Sequence, residues 1–189
     1  MKLTEKVVDL SKLALSEEQG ASRSAGIHVS QVIRHIALTA GLRKDSGFSE
    51  DDLNQFAMIG RLWERVLADA YYTKPRYERI GEIELEGIIG SPDAVDTEEW
   101  AIEEMKVCWM SAKNFTERPK FREYLWQGKA YCQMSGMCRC RFTVLHIRGD
   151  YTTGVPIPME YSCLFTPGEL KDNWQMIRNG AKELVSHGS

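Results

Sequence analysis

Residues 90–109 read GSPDAVDTEEWAIEEMKVCW, and this stretch decides the fold. It predicts a turn at residues 90–92, a short strand that begins at Asp93, and a longer strand within residues 98–110. The longer strand carries carboxylate and ammonium groups among apolar residues. Such charges are costly in a sheet core unless they are paired or coordinated. The stretch therefore predicts either a solvated edge or a functional site.

Alternation along the longer strand sorts its charged side chains. Glu104 and Lys106 lie on one face, whereas Glu103 points to the other. The turn before Asp93 allows an adjacent strand to bring that carboxylate beside Glu104. Two hard oxygen ligands at one point suit Mg²⁺ or Mn²⁺. Glu103 is the competing ligand, and strand alternation turns it away from Lys106.

The rest of the sequence alternates between helical and extended patterns. The apolar spacing in the second helix predicts a buried stripe made of Phe56, Ile59, Leu62, Trp63, Val66 and Leu67. The order of elements predicts an α/β protein with a mixed sheet. The predicted helices span 30–40, with Ser30 as N-cap, 49–72, 118–134 and a last segment from Pro167 to about 185; the predicted strands span 78–90, 138–149 and 159–165.

Length and composition predict one domain of 189 residues, with residues 1–26 as a partly flexible N-terminal segment. No run of 18 apolar residues occurs, which predicts that the chain does not enter a membrane. The N-terminus lacks the pattern of a secretory signal. Five cysteines without framework spacing suit a reducing compartment, so we expect a cytoplasmic protein.

Charge is unevenly distributed along the chain. Residues 81–105 contain nine acidic and no basic residues, whereas residues 106–148 contain nine basic and two acidic ones. Two solvated faces of opposite sign would explain this pattern. An acidic metal pocket beside a surface that attracts phosphates is the alternative explanation.

Pro92-Asp93 followed by Glu104-Met105-Lys106 resembles the motif of the PD-(D/E)xK nuclease superfamily. Two further segments resemble its RecB-like exonuclease branch. One is Gly60-Arg61-Leu62-Trp63-Glu64, and the other is Gln127-Gly128-Lys129-Ala130-Tyr131, which matches the branch's Q-x-x-x-Y motif. The resemblance implies a restriction-endonuclease-like core, with a central mixed sheet flanked by helices.

The same resemblance implies a divalent-metal-dependent DNA exonuclease of recombination, repair or phage replication. Asp93 and Glu104 would hold one or two Mg²⁺ or Mn²⁺ ions, together with Glu64 and the main-chain carbonyl of Val107. Lys106 would orient the nucleophile or neutralise charge on the phosphate. Gln127 and Tyr131 would share one helix face and hold either the catalytic strand or the DNA backbone. The residues expected to contact phosphate are Lys113, Arg118, Lys120, Arg122 and Lys129.

Other interpretations of the sequence remain open. A structure-specific endonuclease such as a junction resolvase could use the same core, and so could an inactive DNA-binding subunit. DNA is the expected partner, and a helicase or recombination protein is a further one. Cys132, Cys138 and Cys140 lie close together, but their spacing departs from the iron–sulfur cluster of related nucleases and favours free thiols. The tryptophans are interpreted as core or pocket-wall residues, with Trp126 as a candidate for base stacking.

Overall fold

The computed structural model describes residues 1–7, 24–42, 50–147 and 156–187. A six-stranded mixed sheet in the order β1-β9-β8-β7-β6-β3 lies between helices, beside a small sheet in the order β2-β5-β4. The helices are α1 Val29–Thr39, α2 Glu50–Tyr71, α3 Pro119–Ser135 and α4 Pro167–His187, and a short 3-10 helix spans Phe115–Glu117. The strands are β1 Lys2–Val7, β2 Ile27–His28, β3 Tyr77–Glu78, β4 Ile83–Leu85, β5 Ile88–Gly90, β6 Ala94–Asp96, β7 Ala101–Cys108, β8 Arg139–His146 and β9 Ile157–Leu164.

The centre of the large sheet is the parallel pair β7 and β8, in which Glu104 is opposite Phe142. The β6–β7 and β8–β9 pairs are antiparallel, so the sheet is mixed as the sequence predicts. The parallel pair requires a crossover, which α3 provides between the two strands. The α/β fold class with a central mixed sheet is confirmed.

The predicted single strand over 78–90 is wrong, because the segment folds into a hairpin. Strands β4 and β5 pair with Leu85 opposite Ile88, which leaves Glu86 and Gly87 as the two turn residues. Both have positive φ, at 52° and 76°, which is the requirement of the two-residue turn that matches strand twist. The apolar alternation continues through this turn, so the sequence pattern hides it.

The apolar face of α2 also differs from the predicted stripe. Leu62, Trp63 and Val66 are exposed, whereas Ala68 and Ala70 are buried. Because Ala68 packs with Met105 and Ala94, the small residues face the sheet and allow α2 to approach it closely. The side chains of Phe56 and Ile59 lie outside the described residues.

The remaining helices lie on the other face of the sheet. Helix α3 packs on β7 and β8, and α1 and α4 pack against α3. The main core joins Ile102 and Phe142 from the sheet to Tyr124 and Tyr131 from α3. The two faces of β7 are thus covered by different helices, which determines the surroundings of its charged residues.

Two details differ from the predicted N-terminal region. Residues 2–7, part of the segment expected to be partly flexible, form strand β1 and pair with β9; residues 8–23 lie outside the described ranges. Helix α1 begins at Val29 with His28 as its N-cap, not at Ser30. None of the described helices combines the length and the apolar character needed to cross a membrane.

Candidate active site

The site forms where strand β7 loses its neighbour. Strand β6 pairs with β7 only as far as Ala94 opposite Glu103, so the rest of that edge of β7 is left without a β6 partner. Side chains take the place of the missing strand. The amide of Met105 donates to Asp93 Oδ2 at 2.7 Å, and the amide of Val107 donates to Glu64 Oε1 at 3.1 Å. Two carboxylates therefore occupy consecutive positions along one open edge.

Glu104 and Lys106 complete this cluster from the α3 face of β7. The Lys106 ammonium forms a short ion pair with Glu104 Oε2. The amide of Asp93 donates to Glu104 Oε1 at 3.3 Å, which places the two carboxylates side by side. Both Glu104 and Lys106 are buried. The structure thus brings Asp93, Glu104, Lys106 and Glu64 together, as the sequence predicts.

The cluster has three carboxyl groups and one ammonium group. Burial raises the pKa values of Glu64 and Asp93, and it raises the pKa of Glu104 to about 8, although Lys106 opposes each shift. Burial alone would lower the pKa of Lys106, but the carboxylates of Glu104, Glu64 and Asp93 together raise it well above its ordinary value. When the three carboxyl groups are ionised, the site holds an excess of negative charge that favours a bound cation.

Glu103 points to the opposite face of the sheet. Its carboxylate accepts a hydrogen bond from Arg141 Nε at 2.6 Å, and the same guanidinium also pairs with Asp96. Arg141 and Asp96 are both buried. This arrangement engages Glu103 in a network under α2, away from Lys106.

Gln127 and Tyr131 lie on the face of α3 that is turned toward the site. Gln127 Nε2 donates to the Tyr131 hydroxyl at 2.8 Å, and Tyr131 is buried. The ring lies against Gly90, where an added Cβ would be only 2.8 Å from Tyr131 Cε1. Only glycine allows this approach. Tyr131 therefore supports the chain three residues before Asp93.

The predicted phosphate contacts separate into two groups. Lys113, Arg118 and Arg122 are exposed around the start of α3. Lys120 lies one turn before Tyr124 on the site-facing side and pairs with Glu123 at 3.4 Å, and its charge also acts on Glu64. Lys129 is not part of this group, because it pairs with Glu169 of α4 at 3.6 Å.

Cys132, Cys140 and Cys163 are buried and free, whereas Cys138 is exposed. Burial raises the pKa of Cys132, Cys140 and Cys163, the last to about 12. That these thiols hold no iron–sulfur cluster stays a prediction.

A metal ion has suitable donors at the open edge. The hydrogen bonds from the Met105 and Val107 amides use one carboxylate oxygen of Asp93, Oδ2, and one of Glu64, Oε1. In a strand the N–H and C=O of one residue point to the same side, so the Val107 carbonyl faces the edge where Glu64 lies. Within the described ranges, no three His, Cys, Asp or Glu side chains form a ready-made ligand cluster. The fit to Mg²⁺ or Mn²⁺ rests on the hard oxygen donors and the excess negative charge.

No protein-family model matches the chain, and no curated protein matches it. Several solved structures do. An alkaline exonuclease from Laribacter hongkongensis, LHK-Exo, aligns with a TM-score of 0.52 and 16% identity over 86% of this chain and 89% of that chain. The same enzyme in complex with dAMP aligns with a TM-score of 0.50, at 16% identity and the same coverage. A phage-related exonuclease from Haemophilus somnus 129PT has a TM-score of 0.49 and 13% identity, over 85% of this chain and 83% of that chain.

The first two alignments show that this chain shares the fold of LHK-Exo, a mixed α/β fold with a central six-stranded sheet flanked by helices. They cover nearly the whole of both chains. Residue roles must come from the site itself, because fold alone does not determine activity.

One feature of the site was missed from the sequence. The amides of Met105 and Val107, which receive the carboxylates, carry no signal in their side chains. A second feature was visible but unused: Arg139 and Arg141 alternate along β8 with the period of a strand. That alternation could have indicated a partner for Glu103.

Proposed function

We propose that the protein is a divalent-metal-dependent deoxyribonuclease that degrades DNA from its ends. One observation carries the proposal. The carboxylates of Asp93 and Glu64 accept hydrogen bonds from the two successive amides that face the open β7 edge, and they lie beside the Glu104–Lys106 pair. The fold shared with alkaline exonucleases supports it. The activity would serve DNA recombination, repair or phage replication, alone or with a helicase or recombination partner.

Each residue at the edge has a role in the proposed reaction. Asp93, Glu104, Glu64 and the Val107 carbonyl would hold one or two Mg²⁺ or Mn²⁺ ions. When bound, the ions would lower the pKa of a coordinated water molecule and stabilise negative charge on the phosphate. Lys106 stays protonated because of the surrounding carboxylates, so it acts as a fixed positive charge toward the phosphate or its attacking water.

Helix α3 supplies the supporting and guiding residues. Tyr131, held by Gln127 and packed on Gly90, keeps the Asp93 segment in place. Lys120 lies on the same face of α3, at the helix end that is nearer to solvent. Its positive charge acts on the carboxyl group of Glu64 and lowers its pKa. With Lys113, Arg118 and Arg122 it would attract the phosphate backbone to the open edge. Lys129, paired with Glu169, has no part in this path.

The proposal is tested with four substrates at equal phosphate concentration: end-labelled linear duplex, linear single strands, covalently closed circles and a four-way junction. Each is incubated with Mg²⁺, Mn²⁺ or EDTA. We expect metal-dependent progressive loss of linear DNA while circles remain intact. Paired cuts at the junction, or nicking of closed circles, would indicate a structure-specific endonuclease instead.

The control variants separate chemistry from folding. Asp93→Asn keeps an oxygen acceptor for the Met105 amide but removes the charge, so we expect a rate at least about 100-fold lower with an unchanged fold. Glu98→Gln changes an exposed carboxylate elsewhere on the same acidic segment and should leave the rate unchanged. Full activity in Asp93→Asn would reject the assigned site. DNA binding without cleavage by the wild-type protein would indicate a non-catalytic DNA-binding subunit.

A further inference from the structure

Two exposed tryptophans flank strand β7 at its opposite ends. Trp100 precedes the strand and is 60% exposed, whereas Trp109 follows it and is 40% exposed. The eight residues of β7 lie between them, so the two positions are about 30 Å apart along the strand. Of the two, Trp109 lies at the end of β7 that is nearer to the proposed site. Trp126, the tryptophan that the sequence favours for base stacking, packs against the main core.

The surroundings of the two tryptophans differ in charge. Trp100 follows the acidic residues Asp96, Glu98 and Glu99. Trp109 lies two residues beyond Val107, at the end of β7 where Glu64 binds the strand edge. The loop that follows Trp109 leads into the start of α3, where Lys113, Arg118 and Arg122 are exposed. The end that carries Trp109 therefore adjoins both the carboxylate cluster and the basic start of α3.

The loop that presents Trp109 is anchored from inside the protein. His146, which is buried, contacts the Met110 carbonyl through Nδ1 at 3.0 Å. Phe115 is also buried, and its ring centroid lies 4.7 Å from that of His146 and 5.7 Å from that of Tyr161. Met110, next to Trp109, is 37% exposed. Trp109 and Met110 are thus partly exposed, on a loop that is anchored to the core through His146 and Phe115.

We propose that Trp109 stacks on an unpaired base of the DNA strand that enters the β7 edge. The proposed substrate is accordingly a single-stranded or frayed DNA end, and this inference rests on the proposed nuclease function. Aromatic side chains bind unpaired bases without sequence preference, and basic residues beside them hold the backbone. Lys113 and Arg118, both exposed in the same loop, provide those charges. In a covalently closed duplex every base is paired and stacked on both faces, so no base face is accessible to Trp109, whereas a blunt end exposes the face of its terminal pair.

Binding is measured without cleavage, by fluorescence anisotropy of a labelled single-stranded oligonucleotide in EDTA. Trp109→Ala should weaken this binding by about 5- to 100-fold, the range measured for loss of one base–aromatic stack. Trp109→Phe keeps an aromatic face and should retain most of the affinity. Trp100→Ala is the matched control and should bind as the wild type does. A covalently closed duplex circle, measured by competition with the labelled strand, should show a smaller loss in Trp109→Ala than the single strand shows.

The outcomes distinguish this inference from the proposed function. If the wild type cleaves DNA but Trp109→Ala binds single strands normally, the stacking role is wrong and the nuclease function stands. An equal loss on single strands and on the closed circle would also overturn it, because stacking requires an accessible base face. If the wild type neither binds nor cleaves DNA, both proposals fail. Thermal melting of each variant shows whether the exposed substitutions leave the fold intact.

Discussion

The carboxylate of Glu64 accepts a hydrogen bond from the amide of Val107 at 3.1 Å, across 43 positions of sequence. The contact joins α2 to the open edge of β7, where β6 has already ended. It positions a carboxylate and at the same time satisfies a backbone donor, which would otherwise lack a strand partner. A substitution at Glu64 therefore tests a structural and a chemical role together.

We expect Glu64→Gln and Glu64→Ala to separate these two roles. Glutamine retains an oxygen that accepts from the Val107 amide but lacks the charge, so the cleavage rate should fall at least about tenfold with little change in thermal stability. Alanine leaves the amide without its partner and should also lower the free energy of unfolding by about 1–3 kcal/mol. Cleavage assays and chemical denaturation measure the two effects. Equal stability of the two variants would show that the hydrogen bond contributes nothing.

A second prediction concerns the contact between Gly90 and Tyr131. A Cβ at residue 90 would lie 2.8 Å from the tyrosine ring and 2.9 Å from the sulfur of Met134, so Gly90→Ala must displace the ring or the strand. We expect a loss of about 1–3 kcal/mol of stability, the usual cost of overpacking. Because Asp93 is three residues away, the cleavage rate should fall as well.

Gly168→Ala provides the control for that substitution. Nothing lies within 4 Å of a Cβ at Gly168, at the start of α4. This variant should keep the wild-type rate and be at least as stable, because alanine favours a helix more than glycine does. If Gly90→Ala matched it in both measurements, the proposed support of Asp93 by Tyr131 would be rejected.

The third prediction distinguishes Glu103 from Glu104 as a metal ligand. Calorimetric titration with Mn²⁺ should show a loss of at least about tenfold in affinity for Glu104→Gln, whose side chain lies beside Asp93. Glu103→Gln should bind Mn²⁺ nearly normally, since Glu103 pairs with Arg141 on the other face. Its effect should be on stability, because the buried Arg141 loses a charged partner. A larger loss of Mn²⁺ affinity in Glu103→Gln would contradict this assignment.

The sequence predicted which side chains share a face of β7 better than it predicted the elements around that strand. Strand alternation alone placed Glu104 and Lys106 on one face and Glu103 on the other, because that rule is local and holds for any strand. The prediction of a buried stripe in α2 was wrong for Leu62, Trp63 and Val66, because these residues have the same helical spacing whether or not another element covers their face. Which face is covered depends on the sheet, and here alanines allow the closest approach.

The β4–β5 hairpin shows the same limit at shorter range. Its turn residues Glu86 and Gly87 stand inside an alternating pattern that fits one long strand equally well. The backbone amides that bind Asp93 and Glu64 were also beyond sequence reasoning. These amides are available to side chains because β6 ends before it can pair with them. The length over which two strands pair depends on the tertiary structure, not on local sequence.

The last prediction concerns the effect of pH on the metal-free protein. Burial raises the pKa of Glu104 to about 8 from an ordinary value of 4.5. A carboxyl group whose pKa is raised on folding destabilises the folded state once both states have lost the proton, so its effect grows as pH rises from about 5 to 8. In EDTA, we therefore expect the melting temperature to fall between pH 6 and pH 8.

Glu104→Gln isolates this contribution, because glutamine does not titrate. Burial raises the pKa of Glu103 to about 8 as well, so both proteins share that part of the pH dependence and only the difference between them reports on Glu104. Saturating Mn²⁺ should restore wild-type stability at pH 8, since a bound cation favours the ionised carboxylates, and it should stabilise Glu104→Gln less, because that variant binds the ion more weakly. Differential scanning calorimetry at pH 6 and pH 8, with EDTA or Mn²⁺, measures the stability of both proteins under these four conditions. A wild-type protein whose pH dependence matched that of Glu104→Gln, and whose stability did not respond to Mn²⁺, would show that Glu104 does not carry the raised pKa or bind the ion.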